Sequence, residues 1–311
     1  MQDDGFPFAA NHVNRHDHRA RLWIVDVPRP DHFLSHCALL SRPTQPGAPK
    51  STVLWPFFYA VMMSVIQSNT EFFMMDIQIK RVSILPLGLV NAHLIHDSKK
   101  AILVDAGLPG TERHVAKALS DIGLNYNDIK LIVITHAHID HAGNAATLKT
   151  LSGAPIVAHA DDLPYYRREK PMTFCATGWF GKLFIKTGLM FEPYTPFEPD
   201  ILLTHGETLD LSSYGFNGSV VHTPGHTQGS LSVLLDNKSA LVGDLIASGI
   251  LLGGIMFTGR AKQPPFEDDP QAVGNALLKL ADSGHTTFYM GHGGPLPAKE
   301  VCRHAHHLKN S

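Results

Sequence analysis

The segment 131–141 constrains this chain more than any other. Four apolar residues, Leu131, Ile132, Val133 and Ile134, read as a buried strand, which runs through Thr135 into His136, Ala137, His138, Ile139, Asp140 and His141. Four potential metal ligands thus fall within six residues at the end of an apolar strand. A sharp turn there lets His136 and His138 share one ion while Asp140 and His141 point to another. A lone His on an apolar strand is usually a satisfied core residue. Four such groups buried together without a cation would cost several kcal/mol in unpaired polar groups. The fold must therefore bring a buried strand to an abrupt polar end.

The same device recurs. His226 follows the strand 219–222 through Thr223, Pro224 and Gly225. Asp244 follows 240–242 through Gly243, and His292 follows 287–290 through Gly291. Glycine lets the backbone turn sharply and approach closely. All four strand ends can meet on one edge of a sheet.

The remaining pattern from residue 76 onward fits such a sheet. Strands are predicted at 77–84, 92–96, 101–104, 131–134, 156–158, 219–222, 230–235, 240–242 and 287–290. Helices are predicted at 111–122, 142–151, 270–281 and 297–308. Residues 161–200 break the rhythm with prolines and aromatic side chains, among them Trp179 and Phe180. They read equally well as a lid facing substrate or as a surface excursion with its own small core. Strands and helices alternate on either side of this insertion, which predicts a layered α/β domain, a sheet pair inside and helices outside.

The first 75 residues differ. They are rich in Pro, His, Asp and Arg, and then carry an apolar run at 53–66. That run falls short of the roughly 20 apolar residues a membrane span needs. It also lies too deep in the chain, without a small-residue cleavage site, for a removable signal. It reads as a helix docking on the body or on a second subunit, so a homo-oligomer through this extension is an expectation. The domain division is then 1–75 and 76–311.

Composition narrows the partners. The formal net charge is -2 and no basic stripe stands out, so nucleic acid is not an expected partner; a membrane is not expected either, because the run at 53–66 is too short to span one. Charged residues are only 17% of a chain that is 44% hydrophobic, which argues for a folded core. Of 20 His, those at 12, 16, 18, 304, 306 and 307 carry no pattern. Cys37, Cys175 and Cys302 are odd in number and far apart, so no disulfide framework is implied and a reducing, cytoplasmic setting is expected.

Together, Asp105-Ala-Gly107, the 136–141 run, Pro224-Gly225-His226-Thr227, Gly243-Asp244 and Gly291-His292 resemble the metallo-β-lactamase superfamily, the αββα metallohydrolases. The resemblance covers 76–311 and implies two mixed β-sheets packed face to face with helices on both outer sides. It implies that His136, His138 and His226 hold one divalent ion, that Asp140, His141 and His292 hold a second, and that Asp244 bridges them. Asp105 would stand behind the ligands and steady the His loop. Zinc is the expected metal, with manganese or iron as alternatives. Two such ions about 3.5–4 Å apart share a bridging water and lower its pKa towards neutrality, giving a hydroxide that attacks a carbonyl or phosphoryl centre. Asp140 and Asp244 are the expected catalytic carboxylates, with Asp140 orienting the nucleophile.

The expected activity is a hydrolase (EC 3) acting on a small-molecule ester, lactone or thioester, in the lactonase and thioesterase branch that includes glyoxalase II. The bridging Asp244 points away from true lactamases, and His138 stands where redox diiron members would carry Glu. β-Lactamase or phosphodiesterase activity, a mononuclear iron persulfide dioxygenase and a non-catalytic metal-binding relative remain the alternatives. Trp179, Phe180 and the glycine-rich loop 248–257 are expected to form an apolar pocket over the metals.

Overall fold

The computed structural model describes residues 77–250, 253 and 256–310; the extension 1–75 and its apolar run lie outside the described residues. The first sheet takes its strands in chain order: β1 (Gln78–Leu85), β2 (Val90–His96), β3 (Ala101–Val104), β4 (Ile129–Val133), β5 (Ile156–His159) and β6 (Ile201–Leu203). β1 to β3 form an antiparallel meander, and β3 to β6 run parallel. Parallel neighbours need long crossovers. Here α1 (Glu112–Ser120) joins β3 to β4, and α2 (Ile139–Ala142) with α3 (Ala145–Ser152) joins β4 to β5. The expected irregular insertion is the third crossover, from β5 to β6, and it contains α4 (Leu163–Tyr166) and α5 (Gly178–Phe184).

The second sheet holds β7 (Thr208–Asp210), β8 (Gly218–His222), β9 (Leu231–Leu235) and β10 (Ser239–Leu241). A small antiparallel pair, β11 (Ala247–Ser248) and β12 (Ala261–Lys262), then leads to α6 (Pro270–Asp282). β13 (Thr287–Tyr289) and β14 (Leu296–Pro297) complete this sheet, and α7 (Ala298–Asn310) follows. Only the β10–β13 pairing is parallel, so this sheet is mixed too.

Three apolar layers result, and single strands feed two of them. In β3, Ala101 and Leu103 pack outward with Val115, Leu119 and Leu148 of α1 and α3. Ile102 and Val104 pack inward with Leu131 and Val133, against Val220, Val233 and Leu241 of the second sheet. Ala240 of β10 faces the other way, towards Val273 and Leu277 of α6 and Val301 and Ala305 of α7. Strands buried on both faces must be apolar along their whole length. That is why β3 and the segments 131–134 and 240–242, at the ends of β4 and β10, are uninterrupted apolar runs and why polar ligands appear only where they end. This is the αββα sandwich, two mixed sheets face to face with helices on both outer sides.

The strand ends are tied together by backbone. Leu231 N–H donates to Thr135 O at 2.8 Å, Gly291 N–H to Gly243 O at 3.0 Å, and Asn91 N–H to Gly291 O at 2.8 Å. The short strands β6, β7 and β14 escape the sequence pattern, since two or three residues are too few to show a period.

Candidate metal centre

His136 and His138 leave the end of β4 through Thr135, and Asp140 and His141 lie on the single turn α2. His226 comes from the β8–β9 loop, Asp244 from the segment after β10 and His292 from the segment after β13. Two of the glycines are there for room. At Gly291 a Cβ would collide with Asp244 Oδ1 and with the His141 ring. At Gly243 the backbone has φ of 52° and a Cβ would stand 2.6 Å from Thr135 Oγ1.

Two groups of ligands form. His136 Nε2, His138 Nδ1 and His226 Nε2 stand 3.1 Å apart in every pairing. Around a tetrahedral ion with nitrogens at about 2.0–2.1 Å, ligand atoms lie about 3.3–3.4 Å apart, so the triangle has the size of a zinc face. Asp140, His141 and His292 form the second group, with His292 Nε2 at 3.4 Å and His141 Nε2 at 3.8 Å from Asp140 Oδ2. Asp244 lies between them. Its carboxylate oxygens are 2.9 Å from His292 Nε2, 3.4 Å from His141 Nε2 and 3.9 Å from His226 Nε2.

The cluster is buried and its polar atoms lack partners. His141 Nε2, Asp140 Oδ1 and Asp244 Oδ1 are buried without a hydrogen bond. Burial keeps His136 and His138 well below the usual histidine pKa and His226 at about 4, so these rings present lone pairs. Burial alone would raise Asp140, but the His141 and His292 rings beside it hold its pKa down at about 2. In the first group the imidazoles are thus neutral. In the second, burial alone would lower the rings, but the Asp244, Asp105 and Asp140 carboxylates raise His141 well above the usual histidine value, and the Asp244 and Asp140 carboxylates raise His292 to about 10. Carboxylates that draw positive charge so strongly into a buried, imidazole-rich centre fit divalent cations, which would take the place of those protons.

Asp105 orients ligands of both groups. Its carboxylate accepts from His141 Nδ1 at 2.8 Å and from the Thr135 hydroxyl at 2.9 Å, and that hydroxyl meets His136 Nδ1 at 3.0 Å. Protons held at these Nδ1 atoms leave both Nε2 atoms free to ligate. His292 Nδ1 is held likewise by Leu89 O. Asp105 has φ of 65°, the left-handed region that non-glycine residues rarely adopt, and the Asp105 N–H to Val133 O bond of 2.8 Å fixes it there.

The family model of the metallo-beta-lactamase superfamily matches residues 85–292, more than half of the chain and every ligand above. The chain belongs to this superfamily. Among its relatives, the uncharacterized protein YobT of Bacillus subtilis is 31% identical over 220 residues, 66% of this chain and 83% of its own. The hydroxyacylglutathione hydrolase GloC of Haemophilus influenzae is 28% identical over 208 residues, 65% of this chain and 85% of its own. A metallo-beta-lactamase family protein of Thermus thermophilus shares the fold with a TM-score of 0.53 and 24% identity, covering 75% of this chain and 78% of that one.

In this metallo-β-lactamase-superfamily chain a cavity of about 290 Å3 opens above the ligands, with His138, Asp140, His226, Asp244 and His292 at its floor. Leu85, Val90 and Leu108 form one wall, Phe184, Leu189 and Met190 of the third crossover a second, and Pro265 and Phe266 a third. Among the described residues Glu192 is the one charged lining residue that is not a candidate ligand. Trp179 and Phe180, expected over the metals, line a neighbouring cavity instead. Helical phase puts Trp179 on the exposed face, and Phe180, stacked on Phe184 one turn earlier, stops short of the cavity that Phe184 reaches. No described residue of the loop 248–257 lines the metal cavity.

Other positions were not foreseen. Asp162 is buried and accepts from Ala137 N, Thr227 Oγ1 and Gly229 N, each at 3.0 Å, so it ties the His136–His138 turn to the His226 loop. Asn91 donates from Nδ2 to Gly293 O at 3.1 Å and steadies the His292 loop. These partners lie 25 to 202 residues away, mostly backbone groups, and no local motif marks them. His159 and His222, which no sequence motif covers, stack on each other at 3.7 Å, with the His205 ring 5.7 Å from His222, and none lines the metal cavity.

Proposed function

We propose that this chain is a dinuclear metal-dependent hydrolase of a small, predominantly apolar ester, lactone or thioester. The observation that carries the reading is the cavity itself: a floor of ligands from both groups, with Asp244 between them, under walls that are apolar except for Glu192. Two bound divalent cations, zinc first among the choices, would activate water and polarise the attacked carbonyl.

The chain's own residues do the rest. Asp105 and Leu89 O hold protons on the outward nitrogens of His141 and His292, and so keep Nε2 of each ring aimed at the centre. Asp140 Oδ1, buried and unpaired, is the acceptor that orients the attacking water. The apolar walls exclude bulk water and take up the acyl or lactone carbon chain. Among the described residues no Lys or Arg lines the cavity, so a doubly anionic leaving group finds no cationic side chain there. Hydroxyacylglutathione, the substrate in the name of the Haemophilus relative, is therefore the second reading, favoured by kinship alone.

The test is a panel of chromogenic esters, lactones, thioesters including a hydroxyacylglutathione, phosphodiesters and a cephalosporin. It is run with zinc, manganese and iron beside a metal count. Close to two ions per chain and highest kcat/KM on uncharged esters or lactones is the expected result. Preference for the glutathione thioester would replace the first reading by the second. One iron per chain with oxygen consumption, or two ions and no hydrolysis, would overturn both.

A further inference from the structure

The third crossover carries an apolar surface that the metal site does not use. In α5 the residues Phe180, Gly181 and Phe184 turn inward, and Gly181 is buried. The opposite face is exposed: Trp179 at 74% and Leu183 at 57%, four residues apart on one helical stripe. The two short turns that follow, Ile185–Thr187 and Leu189–Phe191, add Phe191 at 52% exposure, and Leu189, 58% exposed, joins this face to the wall of the metal cavity. Isolated exposed apolar residues need no explanation, but a run of large ones beside a cavity mouth does.

Its charge is mainly positive, with the exposed Glu192 at its edge. Lys182 and Lys186 are exposed within the same segment, and neither pairs with a carboxylate among the described residues. Lys262 shares a cavity with Trp179, and Arg168 and Lys170 share another with Phe191. Between residues 174 and 192 the only carboxylate is Glu192.

From the exposed Trp179 a continuous line of rings runs inward. Trp179 to Phe180 is 6.0 Å, Phe180 to Phe184 5.6 Å, and Phe184 to Phe266 6.0 Å. Phe266 to Phe174 and Phe174 to the ligand His138 are 4.8 Å each.

We propose that this face, centred on Trp179 and Leu183 and flanked by Lys182 and Lys186, docks on an anionic lipid surface. Trp seats its amphipathic ring at the headgroup level, Leu and Phe enter the acyl boundary, and Lys stems snorkel to the phosphates. A protein partner would be expected to bring hydrogen-bond donors and acceptors to this face, yet the segment offers almost only apolar bodies and ammonium groups. No helix among the described residues is long and apolar enough to cross a membrane, and lying in the interface needs none. The expectation of no membrane partner rests on the lack of a span-length run, and a peripheral contact escapes that criterion. The docked face would set the mouth of the apolar cavity against the lipid, so that an acyl group enters along the aromatic line. This last consequence rests on the reading as an ester hydrolase; the docking does not.

The experiment is sedimentation of the full chain with vesicles of phosphatidylcholine alone, or with about one third phosphatidylglycerol. Hydrolysis of a water-soluble acetyl ester and metal content are measured on the same samples. The full chain should sediment with the anionic vesicles, and less so at high salt. Trp179→Ser with Leu183→Ser should lower partition at least about tenfold on that surface. Lys182→Gln with Lys186→Gln should lower it about fivefold per lysine, and only when anionic lipid is present. Soluble-ester activity and metal content should stay as in the parent, since none of the four lines the metal cavity. A full chain that stays in the supernatant, or partition that neither pair alters, overturns the proposal. So does a fall in sedimentation-equilibrium mass in the Trp179/Leu183 variant, which would mark the face as a contact between copies. If docking holds while no ester in the panel is turned over, the function reading fails and this one stands.

Discussion

Asp105 reaches ligands of both groups, directly at His141 and through the Thr135 hydroxyl at His136. Asp105→Asn would place an amide where one acceptor serves several donors, so an N–H would face an N–H. Metal affinity should fall about 10–100-fold while the domain stays folded, because outlying partners of ligand imidazoles act at that level. Competition with a chromogenic chelator measures it, and unchanged affinity would remove Asp105 from the centre. Glu267 makes a different kind of prediction. It is buried beside Gln263, and burial raises its pKa to about 7. The folded state therefore holds this proton more tightly than the unfolded chain does. That contribution to stability is complete below pH 4.5 and is lost as pH rises through 7, by at most about 3 kcal/mol. Glu267→Gln should flatten the fall in Tm between about pH 5 and 8, and a parallel fall in both proteins would refute the assignment. Neither Glu267 nor Asp162 was legible in the sequence, whereas the seven candidate ligands were. A ligand announces itself when it follows an apolar strand through a glycine. A buried carboxylate whose partners are distant backbone amides leaves no local trace.

At the scale of elements, long strands and helices were readable to within a few residues because burial on both faces leaves little choice of residue. The crossover between β5 and β6 was not. Glycine at 178 and 181 hides the helix α5, and without the helix its phase is unknown. Given the helix, Phe180 and Phe184 share one face and Trp179 and Leu183 the other, so spacing excludes Trp179 from the metal cavity, while Phe180 is left outside it because only Phe184, one turn later, reaches the ligands. The wall over the metals is thus Phe184, Leu189 and Met190, and specificity should follow them. Phe184→Ala with Leu189→Ala should raise KM for long acyl esters far more than for acetyl esters, with metal content unchanged. A methylene is worth about 0.8 kcal/mol, so the loss in kcat/KM should grow stepwise along a chain-length series. An equal loss at every length would mean that these residues support the fold or the ligands rather than bind substrate.

At the scale of the molecule, what the sheets share is one edge. Each ligand segment leaves a buried strand there, and backbone bonds such as Gly291 N–H to Gly243 O lace the segments to one another. The inter-sheet layer, from Ile95 and Ile102 to Val233 and Leu241, fixes that edge by packing alone. Among the described residues every element of this scaffold lies between Gln78 and Asn310, as does every candidate ligand. We therefore propose the domain boundary near residue 75, and it yields a direct test. A chain beginning at Met75 should fold, bind the same number of ions as the full chain and hydrolyse a small soluble ester at the same rate within about twofold. Its oligomeric state is free to change, since the apolar run at 53–66 is the expected subunit contact. Metal content, circular dichroism and initial rates on the two chains decide the matter. If the shorter chain folds and takes up metal yet is inactive, a residue before Met75 belongs to the active site. The catalytic unit would then be the whole chain and not the sandwich.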